Sequence, residues 1–285
     1  MKTLDTLIPD IYEVLDGLNS DKGIDISEEL MADFLFNMRE ALEGWSTPHL
    51  QSKTIRMSNV GRPLRRVWYD MKDSSEEKKD MHPSNFIKFL YGHLLEQIAI
   101  LLIKLSGHEV SGMQKEVEVD GIKGHMDCKI DGEVVDIKTA SNFSFKKFSE
   151  GTLVEDDPFG YLAQLAGYEE AEGTDDGGFF AINKESGEIC LFRPGNLSKP
   201  NIRTKISTIK ESLEVDEPPA ICYPPIPEGK KGNLKLAAGC VYCPHKAKCW
   251  ADSNNGRGLR AFKYSNGVKY FTRVISTPKV LEISL

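Results

Sequence analysis

The dipeptide Asp131-Gly132 constrains this chain more than any other feature. It separates Gly124-His125-Met126-Asp127-Cys128-Lys129-Ile130 from Glu133-Val134-Val135-Asp136-Ile137-Lys138 and is the short-range signature of a two-residue hairpin loop, because the primed turns need positive φ. Closing that loop puts Ile130 opposite Glu133. The pairs then run outward to Asp127 opposite Asp136 and His125 opposite Lys138. Side chains alternate across a strand, so His125, Asp127, Asp136 and Lys138 share one face. Met126, Cys128, Ile130, Val135 and Ile137 form the other, a core face apart from Glu133 at the turn. Like charges directly opposite each other destabilise a strand pair. A cation between them removes the repulsion, and hard carboxylate oxygens favour magnesium, calcium or manganese. With the Lys138 ammonium on the same face, the hairpin reads as a metal-dependent hydrolytic site. The plainer reading is the polar face of a half-exposed hairpin.

Two helical stretches carry further polar groups at fixed spacing. In Gly92-His93-Leu94-Leu95-Glu96, His93 and Glu96 are three apart and share a helix face. In Gln164-Leu165-Ala166-Gly167-Tyr168, Gln164 and Tyr168 are four apart on one face, with Tyr161 a turn back. Taken singly, these are a solvated glutamate, a packed histidine and helix-packing tyrosines. Taken in order with Asp127 and Asp136-Ile137-Lys138, they resemble the motifs of the PD-(D/E)xK nuclease superfamily. Within it they are most similar to the RecB-like exonuclease branch, over residues 85 to 250. The resemblance implies that Asp127, Asp136 and the Ile137 carbonyl bind one or two magnesium or manganese ions. It implies that Glu96 helps hold the metal or its waters, that His93 is a manganese ligand as in some relatives, and that Lys138 positions or activates the attacking water. Gln164 and Tyr168 would face the site, contacting DNA or orienting catalytic groups.

Cys240-Val241-Tyr242-Cys243 with Cys249 forms C-x2-C-x5-C, and Cys222 lies upstream. Cysteines this tightly spaced in a reducing compartment suggest a metal centre. Relatives with a nuclease-linked cluster, including those of the CRISPR-adaptation type, end in the same triplet, but their fourth cysteine lies before the catalytic core. Here no cysteine precedes Cys128, and Leu64 stands where it is expected. Cys222 is then the fourth ligand, because Cys128 falls on the core face and Cys190 in an apolar strand. Such a site holds zinc or a [4Fe-4S] cluster, His245 can substitute in the zinc case, and a metal-free reading also stands.

The chain has 285 residues, 40% hydrophobic and 28% charged, ordinary for a soluble globular protein. Its clearest apolar run, Ile98 to Ile103, is short against the roughly 20 residues of a membrane helix. The acidic, amphipathic start does not suit a signal peptide, so a cytoplasmic, membrane-free location is expected. A net charge of -7 disfavours a generic nucleic-acid-coating protein. Two base-rich runs shift the balance back toward nucleic acid: Lys53, Arg56, Arg62, Arg65 and Arg66, and then Lys230 to Lys279, where Asp252 is the only acid. They read as phosphate-binding patches or as solvated surface. Phe143, Phe145, Lys146, Lys147 and Phe148 likewise read as a base-stacking strip or as a buried phenylalanine stripe.

The expected fold is mixed α/β: a restriction-endonuclease-like core whose mixed central sheet is flanked by helices. Residues 1–82 form an N-terminal helical region, 83–217 the nuclease core, and 218–285 a cysteine metal-binding region with a basic hairpin at Asn266-Gly267. Strands are expected at Gln114 to Val119, Lys123 to Ile130, Glu133 to Thr139, Gly178 to Asn183 and Glu188 to Arg193. Pro158 is expected to open the helix of Gln164, another helix to span Leu197 to Leu213, and Pro218 to Gly239 to be a loop. The expected activity is magnesium-dependent exonucleolytic hydrolysis of linear double- or single-stranded DNA. The compact layout resembles exonucleases of bacterial viruses, which implies a role in DNA degradation, recombination or repair beside a single-strand annealing or recombination protein. The alternatives are a structure-selective endonuclease and an inactive nucleic-acid-binding relative.

Overall fold

The computed structural model describes residues 2–20, 23–47, 53–73 and 82–285. Helices α1 (Leu7–Asp16), α2 (Glu28–Ser46), α3 (Met57–Val60), α4 (Leu64–Lys72) and α5 (Ser84–Leu105) come first. Strands β1 (Val110–Ser111), β2 (Glu116–Val119), β3 (Ile122–His125), β4 (Cys128–Ile130) and β5 (Glu133–Ala140) follow. Then come α6 (Asn142–Ser149), α7 (Tyr161–Glu172), β6 (Gly178–Asn183), β7 (Ile189–Phe192) and α8 (Ile202–Glu214). The chain ends with β8 (Ile226–Glu228), β9 (Asn233–Lys235), α9 (Ala238–Val241), α10 (Lys246–Cys249), β10 (Arg260–Tyr264), β11 (Gly267–Arg273) and β12 (Leu281–Ile283). The fold is mixed α/β. It divides into a first unit of Met1–Gly61 with Ser75–Ser207 and a second of Arg62–Ser74 with Thr208–Leu285.

The first unit is built on a mixed sheet of order β1-β4-β5-β6-β7, in which only β5 and β6 run parallel. The β4–β5 hairpin closes as expected: Ile130 pairs with Glu133, Lys129 with Val134 and Cys128 with Val135. Asp131 and Gly132 have φ of 50° and 93°, the positive values a primed two-residue turn requires. The Asp131 carboxylate is also bound from outside the turn, by the Glu109 N–H at 3.1 Å and the buried His108 ring at 2.6 Å. His108 Nε2 in turn meets Asp10 at 3.0 Å, which ties α1 to the hairpin tip. Every residue of β6 is buried, as suits a central strand with a parallel neighbour. Leu7 and Ile11 of α1 and Ala99, Ile100 and Ile103 of α5 pack against Cys128, Ile130, Val135, Ile137, Phe180 and Ile182. Each of these larger apolar side chains contributes about 1.5–3 kcal/mol by leaving water. The opposite face of β6 presents Phe179 to Phe148 of α6 and Tyr161 of α7. Register pairs Asp136 with Phe179 and Lys138 with Ala181, so the polar pair stands on that aromatic side of the sheet.

Helix α2 is capped by Ser27, whose Oγ accepts the Leu30 N–H at 3.2 Å, with Glu28 and Glu29 in the first turn. Helix α5 is long and apolar enough, by length and composition, to cross a membrane, which the short Ile98 to Ile103 run did not suggest. Its Ala99, Ile100 and Ile103 nevertheless belong to the sheet core.

Four expectations need correction. The strand from Lys123 to Ile130 is broken at Met126-Asp127: β3 leaves the main sheet and pairs with β2, placing His125 opposite Glu116 rather than Lys138. Helix α7 begins at Tyr161, not Pro158, because the Asp157 carboxylate takes the N–H groups of Gly160, Tyr161 and Leu162 at 2.8–2.9 Å. Pro200 separates a short 3-10 turn at Asn196–Ser198 from α8, so the single helix from Leu197 does not form. Pro218 to Gly239 contains β8 and β9, which join a second sheet instead of forming a bare loop.

That second sheet, order β12-β10-β11-β9-β8, belongs to the second unit. The β10–β11 hairpin forms but turns at Ser265-Asn266, one residue before the expected Asn266-Gly267, since Tyr264 pairs with Gly267. Leu236, Cys240, Trp250 and Leu259 form a small core beside Tyr223 and Tyr270. Helix α4 joins this unit: its Trp68 Nε1 donates to the Val215 carbonyl at 3.1 Å.

Candidate active site

The hairpin places its acids differently from a continuous ladder. Asp127 sits in the break between β3 and β4, where its backbone carbonyl accepts from Gln114 at 3.0 Å and its Oδ2 accepts the Ile137 N–H at 2.7 Å. Through that bond Asp127 reaches β5 beside Asp136. Burial, and then the negative charge of Asp136, push the Asp127 carboxyl well above the usual range. Asp136 is 1% exposed; its Oδ1 is buried without a hydrogen-bond partner, and its Oδ2 forms an ion pair with Lys138 Nζ. Burial alone would lower the Lys138 ammonium pKa, but the charges of Asp136 and Asp127 outweigh it and hold the proton more firmly than in water. Lys138 therefore stands beside the acids as a locked cation.

Glu96 joins this field from α5. Burial raises its carboxyl, the Gln114 side-chain N–H donating at 2.9 Å lowers it, and the Asp136 charge raises it again. His93 is exposed one turn earlier on α5. Tyr168 is buried, and Gln164 Nε2 donates to its hydroxyl at 3.1 Å. Burial first, with contributions from Asp136 and Asp127, pushes the Tyr168 hydroxyl up to about 12. Gly124 of β3 makes room for this ring, because a Cβ there would meet Tyr168 Cε1 at 2.9 Å and Met57 Cβ at 2.6 Å. Tyr161, one turn before Gln164 on the same helix, has its ring under Lys138 Nζ, 4.9 Å from the centroid, a role the spacing did not assign. Its position three residues before Gln164 on one face was the available signal. Asp157 and Gln114, which organise the site's edges, carry no motif.

Each acid is thus held by a different partner: Asp127 by a backbone N–H, Asp136 by Lys138 and Glu96 by Gln114. In keeping with this, no group of three or more His, Cys, Asp or Glu side chains among the described residues is close enough to hold a metal ion. What does suit a hard cation is the donor chemistry. Anionic oxygens are buried next to one another, and one of them lacks any partner. His125 takes no part, lying 3.9 Å from Glu116 on β2.

In the second unit Cys222, Cys243 and Cys249 lie near enough to Cys240 to act on its thiol, without forming a group close enough to hold a metal ion. Burial, then the neighbouring Cys222, Cys249 and Cys243, raise the Cys240 thiol to about 11. Cys222 and Cys243 are also raised by burial, opposed by N–H groups of Arg66 and Arg65 for Cys222 and of His245 for Cys243. Arg65 Nε donates to Cys249 Sγ at 3.1 Å. His245 does not join them: Nε2 meets Asp70 at 2.7 Å and the ring stacks on Tyr69 at 5.4 Å. Cys128 is buried in the core as expected, and burial raises Cys190 to about 11.

Many bases of the two runs are engaged within their own unit. Arg62 and Arg66 face Asp70, Arg65 bonds Cys249 and the Pro219 carbonyl, Lys235 and Lys269 pair with Glu228, and Arg260 pairs with Glu282. In α6, Phe145 and Phe148 are buried while Phe143 is 74% exposed, so the two readings of that stretch divide by residue.

No family model matches the chain, and no curated protein matches it. Among solved structures it is similar to an alkaline exonuclease, LHK-Exo, from Laribacter hongkongensis, at TM-score 0.41 and 14% identity over 60% of this chain and 92% of that one. The same exonuclease in complex with dAMP gives 0.40 and 14% over 57% and 88%. A phage-related exonuclease from Haemophilus somnus 129PT gives 0.38 and 14% over 59% of this chain and 95% of that one.

Proposed function

We propose that this chain is a divalent-metal-dependent deoxyribonuclease of the PD-(D/E)xK type, with a restriction-endonuclease-like core of the RecB-like branch. The observation that carries the reading is the β4–β5 hairpin. It buries Asp136 and half-buries Asp127, with one Asp136 oxygen unpartnered and Lys138 held against the other. Asp127, Asp136 and the Ile137 carbonyl would hold magnesium or manganese, with Glu96 in support; His93, exposed on α5, would be a further manganese ligand. The bound metal would lower the pKa of water and stabilise charge on the phosphate. Lys138, paired with Asp136, would carry its proton and positive charge beside the scissile phosphate. Tyr161 keeps the ammonium in place from below. Gln164 and Tyr168 close the site on the α7 side. Linear DNA attacked from an end is the preferred substrate.

Purified protein should degrade end-labelled linear DNA with magnesium or manganese, stop on chelation, and leave covalently closed circles intact. Asp136→Ala should abolish cleavage and keep DNA binding. Cleavage by Asp136→Ala refutes the site, whereas cutting of closed circles at comparable rates favours the endonuclease reading. Cys222, Cys240, Cys243 and Cys249 are proposed to bind one centre. Anaerobic protein should show iron, sulfide and absorbance near roughly 400 nm for [4Fe-4S], or stoichiometric zinc without colour. Absence of both metals refutes the centre.

A further inference from the structure

Next to Lys138 the first unit presents an aromatic side chain to solvent on a backbone that has little freedom to move. Phe159 is 53% exposed, and one face of its ring stacks on Tyr161 at 5.5 Å between centroids and 26° between planes. Tyr161 is backed by the buried Phe148 and Phe179 at 6.2 Å and 6.3 Å, and carries Lys138 Nζ 4.9 Å above its ring. An isolated exposed phenylalanine needs no explanation. This one is held in place on both sides. Asp157 receives the N–H groups of the two residues that follow Phe159, at 2.8 Å and 2.9 Å. Gly160, at φ of 80°, lies so close to Gly61 that a Cβ on either would strike the other's backbone. On its other flank, Lys147 Nζ is bonded to the Asp156 carbonyl at 3.0 Å and lies 5.6 Å from the ring centroid of the exposed Phe143.

We propose that Phe159 is a stacking platform for an unpaired nucleobase, so that the strand delivered to Asp136 is single-stranded or frayed at its end. The proposal rests on the nuclease reading for the phosphate's destination, and on the Phe159–Tyr161–Lys138 stack for the base. A base on the open face of Phe159 extends by one step the stack of rings that leads through Tyr161 to Lys138. A blunt, fully paired end cannot stack this way without unpairing. Asp157 is a positioning residue in this arrangement, because it fixes the loop and touches no base.

The test uses the full-length protein in chelator and a short single strand ending in 2-aminopurine, whose fluorescence falls on stacking. Wild type should quench the probe. Phe159→Ala should bind the strand about tenfold more weakly, within the range for losing one base–aromatic stack, and should not quench. Phe159→Tyr should restore both, and all three proteins should stay folded, with Phe159→Ala losing no more than the single Tyr161 stack. Equal quenching by Phe159→Ala and wild type overturns the proposal. Cleavage is read separately with magnesium: the expected result is a KM raised about tenfold for single-stranded or frayed ends and unchanged for blunt ends, with kcat preserved. An equal change on both substrates overturns the proposal. Quenching that depends on Phe159 without any cleavage supports the platform and refutes only the nuclease reading.

Discussion

Replacing Lys138 by methionine isolates the energetics of the buried pair. The Asp136 carboxylate is 1% exposed, Oδ1 has no partner, and the ammonium is its only neutralising charge among the contacts described above. Removing one member of such a pair strands the other as a buried charge, at a cost of about 3–5 kcal/mol. With about 2–4 °C of melting temperature per kcal/mol for a cooperative body of this size, the chelated variant should melt about 6–20 °C lower. Asp136→Asn in the same background removes the stranded charge and should recover most of the loss, giving a coupling of at least about 2 kcal/mol. Thermal unfolding of wild type, both single variants and the double variant, followed by circular dichroism in chelator, provides every number. A Lys138→Met cost that is the same in the wild-type and the Asp136→Asn backgrounds would refute the reasoning.

Three further outcomes follow from the geometry. Asp127 and Glu96 are both raised above the usual carboxylate range, so metal-supported cleavage should fail on acidification at a pH higher than about 4; an acid limb at the ordinary value counts against their role. Asp157→Ala should lower the unfolding free energy by about 1–2 kcal/mol, with an unchanged denaturant slope, as expected for loss of a helix cap. Lys199→Met should cost about 3–5 kcal/mol in denaturant unfolding, because it strands Glu169 in a pair whose side chains are each 5% exposed, while leaving any cleavage chemistry intact in the folded fraction.

The hairpin was legible because Asp131-Gly132 is a local signal that sets the register outward from the turn. Legibility ended at Asp127, where one side-chain oxygen captures the Ile137 N–H and breaks the strand. Alternation could not foresee that a carboxylate would replace a ladder bond, and His125 went with the other strand. The N-cap of α2 is a local signal of the same kind, since Ser27 directly precedes Glu28 and Glu29. Pro158 misled because the Asp157 carboxylate one residue earlier satisfies the helix's first N–H groups. The arginines after Gly61 read as phosphate contacts because their partners, Asp70 aside, lie some 150 to 180 positions away. Spacing carries no information about such partners.

Helix α4 illustrates what that separation entails during synthesis. Its long-range bonds go to chain made much later: the Val215 carbonyl that Trp68 reaches is 147 residues downstream, and Cys249 lies 184 residues beyond Arg65. At translation rates of about 5–20 residues per second, the helix waits on the order of ten seconds or more for its partners. During that interval an amphipathic, arginine-rich segment with an unburied tryptophan sits in the middle of a nascent chain. A ribosome stalled before Val215 leaves it permanently unclothed, a ready substrate for chaperones and proteases. The discontinuous second unit therefore acts as a completeness check on the polypeptide, passed only when the last cysteines have emerged.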